Sequence, residues 1–292
     1  MRPIFESVYP VFYEYAKKRL KIVKELGDFF IIRKAGKNLR LHFAIDDFID
    51  WWDYDIEPKV LESWLKEEVY TKAIFKWLPE NSKFKQALEN LPLKPDKVYE
   101  GKVYYLNLEE INDEDKLLKN ITKNRRRDLK NMINRLNKAG SWNMFSADIN
   151  DIWDEMIRFI NLRFPNSPFK DKVFSETVKN ALSSLKKGVW ALRLNNQNIA
   201  YSIVLEDKGI AYWYLKAFNP EFSYFSPAKI LLYKMILHYQ KIGFKEFNFM
   251  KGESQYKEWW AKDYKKIYRC EYLNPSILKR AISIFISGIN LV

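Results

Sequence analysis

The chain is short of the residues on which several common chemistries depend. It has one cysteine and two histidines among 292 residues, so an intrachain disulfide framework is impossible and a Cys/His zinc centre has no ligand set. No metal is expected. Cys270 sits in the run KKIYRCEYL, which reads as a strand and marks a buried structural thiol; its solitude fits a reducing compartment. A Ser/His/Asp triad would have to use His42 or His238, the latter mid-helix, and there is no nucleophile elbow. P-loop and GxGxxG patterns are missing too. With 9 glycines and 11 prolines, little material is left for linkers or disordered tracts. No run of 18 apolar residues exists, and Glu6 and Glu14 interrupt the N-terminal apolar pattern, which has no small-residue cleavage site. Neither a spanning helix nor a signal peptide is expected, and a cytoplasmic location follows as an expectation.

What is present is apolar bulk and positive charge. Hydrophobic residues make up 47% of the chain, with 10 Trp, 18 Tyr and 20 Phe, enough to build one large core or two smaller ones. Lys and Arg number 50 against 37 Asp and Glu, a net charge of +13. That balance favours a polyanionic partner such as nucleic acid, an acidic membrane surface or a phosphorylated ligand. A lysine-rich solvated surface would give the same count.

Read for organisation, residues 3–22 predict one or two amphipathic helices interrupted at Pro10. DFFIIR (28–33) and LRLHFA (39–44) flank KAGKN, a hairpin signal. A helix follows Pro58, a strand 72–78, a short helix 82–91, and a strand 102–108. Thr122 and Gly140 bracket a helix over 122–139, whose Leu129, Met132, Ile133 and Leu136 recur at helical spacing. Helices over 148–163 and 170–187 come next. VWALRL, IAYSIVL and IAYWYLKA then read as three successive strands, followed by a helix from Pro227 to about Ile242, the strand KEFNFM, a strand 265–272, and a short helix after Pro275. Both halves run hairpin, helix, strand, which suggests duplication without residue-level repetition.

The chemistry concentrates around AFNPEFSYFSPAKILL. A helix start offers unpaired N–H groups and the positive end of the helix dipole, which together favour an anion. Ser226 is expected to cap that helix, Pro227 to occupy its first position, and Ala228 to let a ligand approach the backbone. A well-made helix start with no ligand would carry the same residues.

The order of elements and this run resemble the acetyl-CoA-binding core of the GNAT superfamily of acyltransferases. That family's phosphate loop reads Arg/Gln-x-x-Gly-x-Gly/Ala, and Ser223, Ser226 and Ala228 stand at the matching positions; Ser223 replaces Arg/Gln and Ser226 replaces Gly. The FemAB-like branch, with its CelD/BcsL relatives, degenerates this loop in a similar way. NRRRDLKNMINRLNKAG (124–140) resembles that branch's Arg-rich helix, and FNFMKGESQYKEWWA (247–261) resembles its C-terminal motif, with Gly252, Tyr256 and Lys257 matching, Glu253 in place of Asp and Ser254 in place of Glu. The resemblance spans about residues 100–270 by motif and residues 1–99 by element order alone.

It implies an α/β protein: a GNAT-like mixed sheet flanked by helices, in a tandem FemAB-like architecture with a degenerate first unit. The expected domains are 1–115 and 116–292. The implied function is acyl-CoA-dependent N- or O-acylation of a sugar, amine or cell-envelope precursor, with acetyl-CoA or another acyl-CoA as donor and a small-molecule or glycan acceptor. Leu215, Lys216, Ala217, Ser223, Ser226, Ala228 and Lys229 would bind the donor. Glu253 would act as general base and Tyr256 as the acid that reprotonates the thiolate. Arg125, Arg126, Arg127, Lys130 and Lys257 would meet a substrate or polyanion. The alternatives are a transferase drawing aminoacyl groups from tRNA, with tRNA meeting the arginine helix, and a basic interaction module that has lost its cofactor. Lys279 and Arg280 before the closing apolar stretch suggest peripheral membrane contact, with packing against the main body the alternative. Asp46, Asp47, Asp50 and Asp53 read as a polar loop packed by Trp51 and Trp52, with binding of a cation or a substrate amine the alternative.

Overall fold

The computed structural model describes residues 9–26, 29–33, 39–43, 56–66, 70–111, 113–252 and 254–274. Its elements begin with α1 (Tyr9–Arg19), β1 (Ile22–Leu26), β2 (Phe29–Arg33), β3 (Leu39–Phe43), α2 (Pro58–Leu65), β4 (Lys72–Pro79), α3 (Lys83–Glu89) and β5 (Lys97–Asn107). They continue with α4 (Glu114–Asn120), α5 (Lys123–Ala139), β6 (Trp142–Ser146), α6 (Ile149–Arg163), α7 (Lys172–Ser183), β7 (Lys187–Leu194), β8 (Gln197–Asp207) and β9 (Ile210–Phe218). The last are α8 (Pro227–Lys241), β10 (Glu246–Lys251), α9 (Gln255–Trp260) and β11 (Tyr264–Leu273).

One topology is built twice. In the first compact unit, Met1–Lys102 with Lys265–Val292, β1, β2 and β3 form an antiparallel meander, β4 lies parallel to β3, and β11 closes antiparallel on β4. In the second, Val103–Tyr264, the meander is β7, β8 and β9, β10 lies parallel to β9, and the Val103–Asn107 end of β5 closes antiparallel on β10. Each parallel step is made by a crossover containing a helix, α2 in one unit and α8 in the other, as parallel pairing requires. The α/β class, the mixed sheet and the repeated unit order are as expected from sequence. The expected division at 115/116 is not: β11 hydrogen-bonds to β4, so the last described strand belongs to the first unit, and the break falls within β5.

Local chemistry accounts for most boundaries. Thr122 accepts from Arg125 N at 3.4 Å to open α5, and Gly140 at φ +148° ends it. Asp148 opens α6 by accepting from Asn150 N at 2.7 Å. α7 starts later than predicted because Ser167 caps only a 3-10 turn over Pro168–Lys170, while Asp171 accepts from Val173 N at 2.8 Å and Phe174 N at 3.3 Å. Pro10 lies in α1, and the expected helical stretch before Tyr9 lies outside the described residues. β1, β6, α4 and α9 were not predicted. The first two are short edge strands with weak apolar alternation, and the two helices span barely two turns.

The core of the second unit is organised by α8. Its Ile230, Leu231, Leu232, Met235, Ile236 and Tyr239 are all buried, and it packs on β7, β8 and β9. Each such side chain contributes about 1.5–3 kcal/mol by leaving water. The helix comes so close to β7 that a Cβ on Gly188 would lie 2.2 Å from the Tyr239 hydroxyl. α8 is thereby fixed in place, and its first turn becomes a rigid platform. Cys270 is buried in β11, and burial pushes its thiol up to about 11, the inert structural role expected. Residues 275–292, the acidic loop from Asp46 to Asp53 and Glu253 lie outside the described residues.

Candidate active site

The pairing of β9 with β10 covers Glu246 to Asn248 against Ile210 to Tyr212 and goes no further, although both strands continue. Three features turn β10 away. Asn248 Oδ1 accepts from Met250 N at 2.9 Å, taking a strand donor out of the ladder. Met250 stands at φ +58° and Gly252 at φ +114°. Lys257 Nζ, on a side chain only 4% exposed, donates to the carbonyl oxygens of Met250 at 2.9 Å and Lys251 at 2.5 Å. The strands therefore splay over the start of α8.

β9 contributes a second irregularity. Val204 pairs with Trp213, but the adjacent Ile203 pairs with Leu215, leaving Tyr214 as the extra residue of a β-bulge. In a regular strand residues three apart face opposite ways. The bulge puts Trp213 and Lys216 on one face, and Lys216 Nζ lies 4.1 Å from the Trp213 ring centre. Trp213 Nε1 donates to Ser202 Oγ at 2.7 Å, and Ser202 Oγ donates to the Leu215 carbonyl at 3.1 Å, which straps the bulge in place.

Between the splayed strands and the first turn of α8 lies a cavity of about 490 Å³. Ser223, Ser226, Ala228 and Lys229 line it from the loop and helix side, Lys216 from β9, and Tyr256 and Lys257 from α9. Seven of the fourteen residues named from sequence are thus brought together. Leu215 and Ala217 are on the opposite face of β9 and do not line it. A larger groove, about 890 Å³, is lined by α6 and α7 side chains of both charge signs, including Asp154, Arg158 and Glu176.

Ser226 does not cap α8 with its side chain, contrary to the sequence expectation. It adopts the left-handed conformation, φ +52° and ψ +48°, after a 3-10 turn over Pro220–Phe225, and that backbone does not direct its hydroxyl onto the first-turn donors. A left-handed L-residue costs about 1–2 kcal/mol, and glycine would adopt the same shape freely. The serine preserves a glycine-type loop, and its carbonyl rather than its side chain accepts from Lys229 N at 3.0 Å and Ile230 N at 3.4 Å.

The cavity is cationic. Arg163, Lys216, Lys229, Lys251 and Lys257 line it, and no carboxylate does among the described residues. Burial, then Lys257 and then Arg163 pull the Lys216 ammonium down from its ordinary 10.5 to about 7. Lys216 Nζ donates to the phenolic oxygen of Tyr256, which stands edge-on to Trp213 with ring centres 5.7 Å apart. Burial pushes the Tyr256 hydroxyl up, against smaller opposing effects from the Ser254 hydroxyl and Arg163. Sequence reading missed Arg163, Trp213 and Lys251. A lone lysine within the apolar strand IAYWYLKAF was the available signal that this stretch faces a cavity.

The arginine helix is divided in its tasks. Arg125 Nη1 donates to the Glu258 carbonyl at 2.6 Å, and Arg126 Nη1 donates to the carbonyls of Leu118 and Ile121 at 3.1 and 3.0 Å. Asn120 Nδ2 donates to the Trp260 carbonyl at 3.1 Å, and Trp260 stacks on Tyr233 of α8 with ring centres 6.1 Å apart. The Arg125 and Asn120 bonds hold α9, and hence Tyr256 and Lys257, in place, while those of Arg126 fix α4 and the turn before α5. Arg127 and Lys130 are exposed.

Residues 123–258 match the model of the acetyltransferase (GNAT) domain family, and the segment so matched contains the splay, the bulge and most of the cavity. The match covers just under half of the chain, and the fold of the chain is GNAT-like, of the kind seen in FemX. Among solved structures it is similar to FemX, with 11% identity over 89% of each chain and a TM-score of 0.56. It is also similar to a conserved protein of unknown function from Bacteroides thetaiotaomicron VPI-5482, at 12% identity over 92% of each chain and a TM-score of 0.57. L-PGS from Bacillus licheniformis aligns at 12% identity over 97% of each chain, with a TM-score of 0.52. At these identities the likeness is one of fold. No curated protein matches the sequence.

Proposed function

We propose that the protein is an acyl-CoA-dependent acyltransferase that acts on a sugar, amine or cell-envelope precursor. The observation that carries the reading is the cation-lined cavity at the splay of β9 and β10, placed over a helix start whose backbone is shaped as a glycine loop would be. A phosphate-bearing donor suits that cradle: Ala228 at the start of α8 lines the cavity, and Lys229 adds a charge whose ammonium lies 4.6 Å from the Trp259 ring centre. Lys216 and Trp213 would line the arm that carries the acyl group. The donor supplies an activated carbonyl when bound; the chain supplies position, a polar backbone and groups that move protons.

Calorimetric titration with acetyl-CoA tests this. The wild type should bind, and Ala228→Trp, which fills the cavity from the α8 side, should abolish binding without unfolding the protein. Binding that survives Ala228→Trp would contradict this placement.

The exposure of Arg127 and Lys130 supports a second reading, an aminoacyl-tRNA donor. It predicts tRNA affinity that falls steeply with salt and is lost in the Arg127→Ala/Lys130→Ala double variant.

A further inference from the structure

We infer that Lys216 is the proton acceptor of the transfer and works as a pair with Tyr256. The inference rests on the donor reading above and deepens it, since from sequence Lys216 was expected only to touch the donor and the base was expected at Glu253.

The geometry comes first. Both side chains line the cavity, and Lys216 Nζ donates to the Tyr256 oxygen. With that oxygen already accepting, the hydroxyl hydrogen of Tyr256 is left to point at another acceptor in the cavity. The groups facing the amine from every packed element are Tyr256 and Lys257 of α9, Arg163 of α6, Lys229 of α8 and Lys251 of β10. They are phenolic or cationic, so the attraction for an ammonium comes from the Trp213 and Tyr256 rings, 4.1 and 4.3 Å away, and no carboxylate among the described residues lines the cavity to hold it. A lysine without a carboxylate partner is a costly way to fill space that methionine would fill as well. Its value near neutrality is what a general base requires.

The step balances. The acceptor N–H or O–H proton passes to Lys216 Nζ as the acceptor's lone pair forms the new bond to the acyl carbon. The carbon–sulfur bond breaks, and Tyr256 gives its proton to the departing sulfur. The Lys216 ammonium then returns a proton to the Tyr256 oxygen through the hydrogen bond already in place. The acceptor's proton ends on the thiol, and both side chains return to their starting states.

The first experiment needs no turnover: titrate the lysine side chains of the unliganded protein by NMR, identifying Lys216 as the signal lost in Lys216→Met. A midpoint near 7 is expected, and one near 10.5 would overturn the role. The second follows thiol release from acetyl-CoA with water as acceptor. The wild-type rate should rise through the same midpoint. Lys216→Arg, protonated throughout, should lose about 100-fold or more and show no such rise, whereas Tyr256→Phe should be slower but keep it. If acetyl-CoA stabilises the wild type yet Lys216→Arg turns over equally fast, this role alone fails. If acetyl-CoA neither stabilises nor turns over, the donor reading fails and takes this role with it.

Discussion

Lys257 Nζ is hydrogen-bonded to the carbonyl oxygens of both Met250 and Lys251, at 2.9 and 2.5 Å, where β10 leaves the sheet. One buried ammonium thus caps the end of the strand and ties α9 to it. The residue was expected to meet a substrate or polyanion; its ammonium is held by backbone instead, although the side chain borders the cavity.

Replacing it should therefore act on structure before function. Lys257→Met leaves two carbonyls without their donor, and stability should fall by about 1–3 kcal/mol. Chemical denaturation measures this. A variant as stable as the wild type would show that the splay does not depend on this bond.

The two halves of the arginine helix should separate experimentally. Arg125→Ala and Arg126→Ala each remove a bond that holds α9 or the turn before α5, so each should cost about 1 kcal/mol or more. Arg127→Ala and Lys130→Ala should change stability by no more than about 0.5 kcal/mol. Thermal melts of the four variants distinguish this pattern from a uniformly solvated face.

Ser226 offers a backbone test. Ser226→Gly should fold as well as the wild type, because the left-handed strain it relieves roughly offsets the freedom glycine adds to the unfolded chain. Ser226→Val should destabilise by more than about 1 kcal/mol, since a β-branched side chain resists that conformation. Equal stability of Gly and Val variants would mean the loop does not need this shape.

The pH dependence of stability follows from Lys216. Its folded pKa lies below its unfolded one, so between about 7 and 10.5 the unfolded state binds the extra proton. The contribution to stability is fully present above 10.5 and is lost as pH falls to about 7, an effect on the order of a few kcal/mol. Lys216→Met should flatten that rise in denaturant midpoints between pH 7 and 10. A variant curve parallel to the wild type would place the ammonium in solvent.

The parts of the fold legible in sequence were those written in local chemistry. Thr122, Asp148 and Gly140 marked their helix ends, and the apolar alternation of residues 187–218 marked three strands. The return of β11 to β4 was not legible, because strand pairing across nearly two hundred residues leaves no local trace. Within the site, Ser223, Ser226 and Ala228 came from a motif and line the cavity. Trp213 and Arg163 did not, for a physical reason: a one-residue bulge at Tyr214 turns Trp213 to the Lys216 face, and Arg163 reaches the cavity from the end of another helix. Strict alternation along β9 points Trp213 the wrong way.

The most direct test of the central claim is a thermal-unfolding scan of the wild type and Ala228→Trp with and without millimolar acetyl-CoA, at low and high salt. A ligand at a hundred times its dissociation constant stabilises by about 2.7 kcal/mol, which moves the midpoint by several degrees. The cation-lined cavity predicts that shift in the wild type, a smaller one at high salt, and none in Ala228→Trp. A wild type whose midpoint is unmoved by acetyl-CoA at low salt would contradict the assignment of this cavity to an acyl-CoA donor.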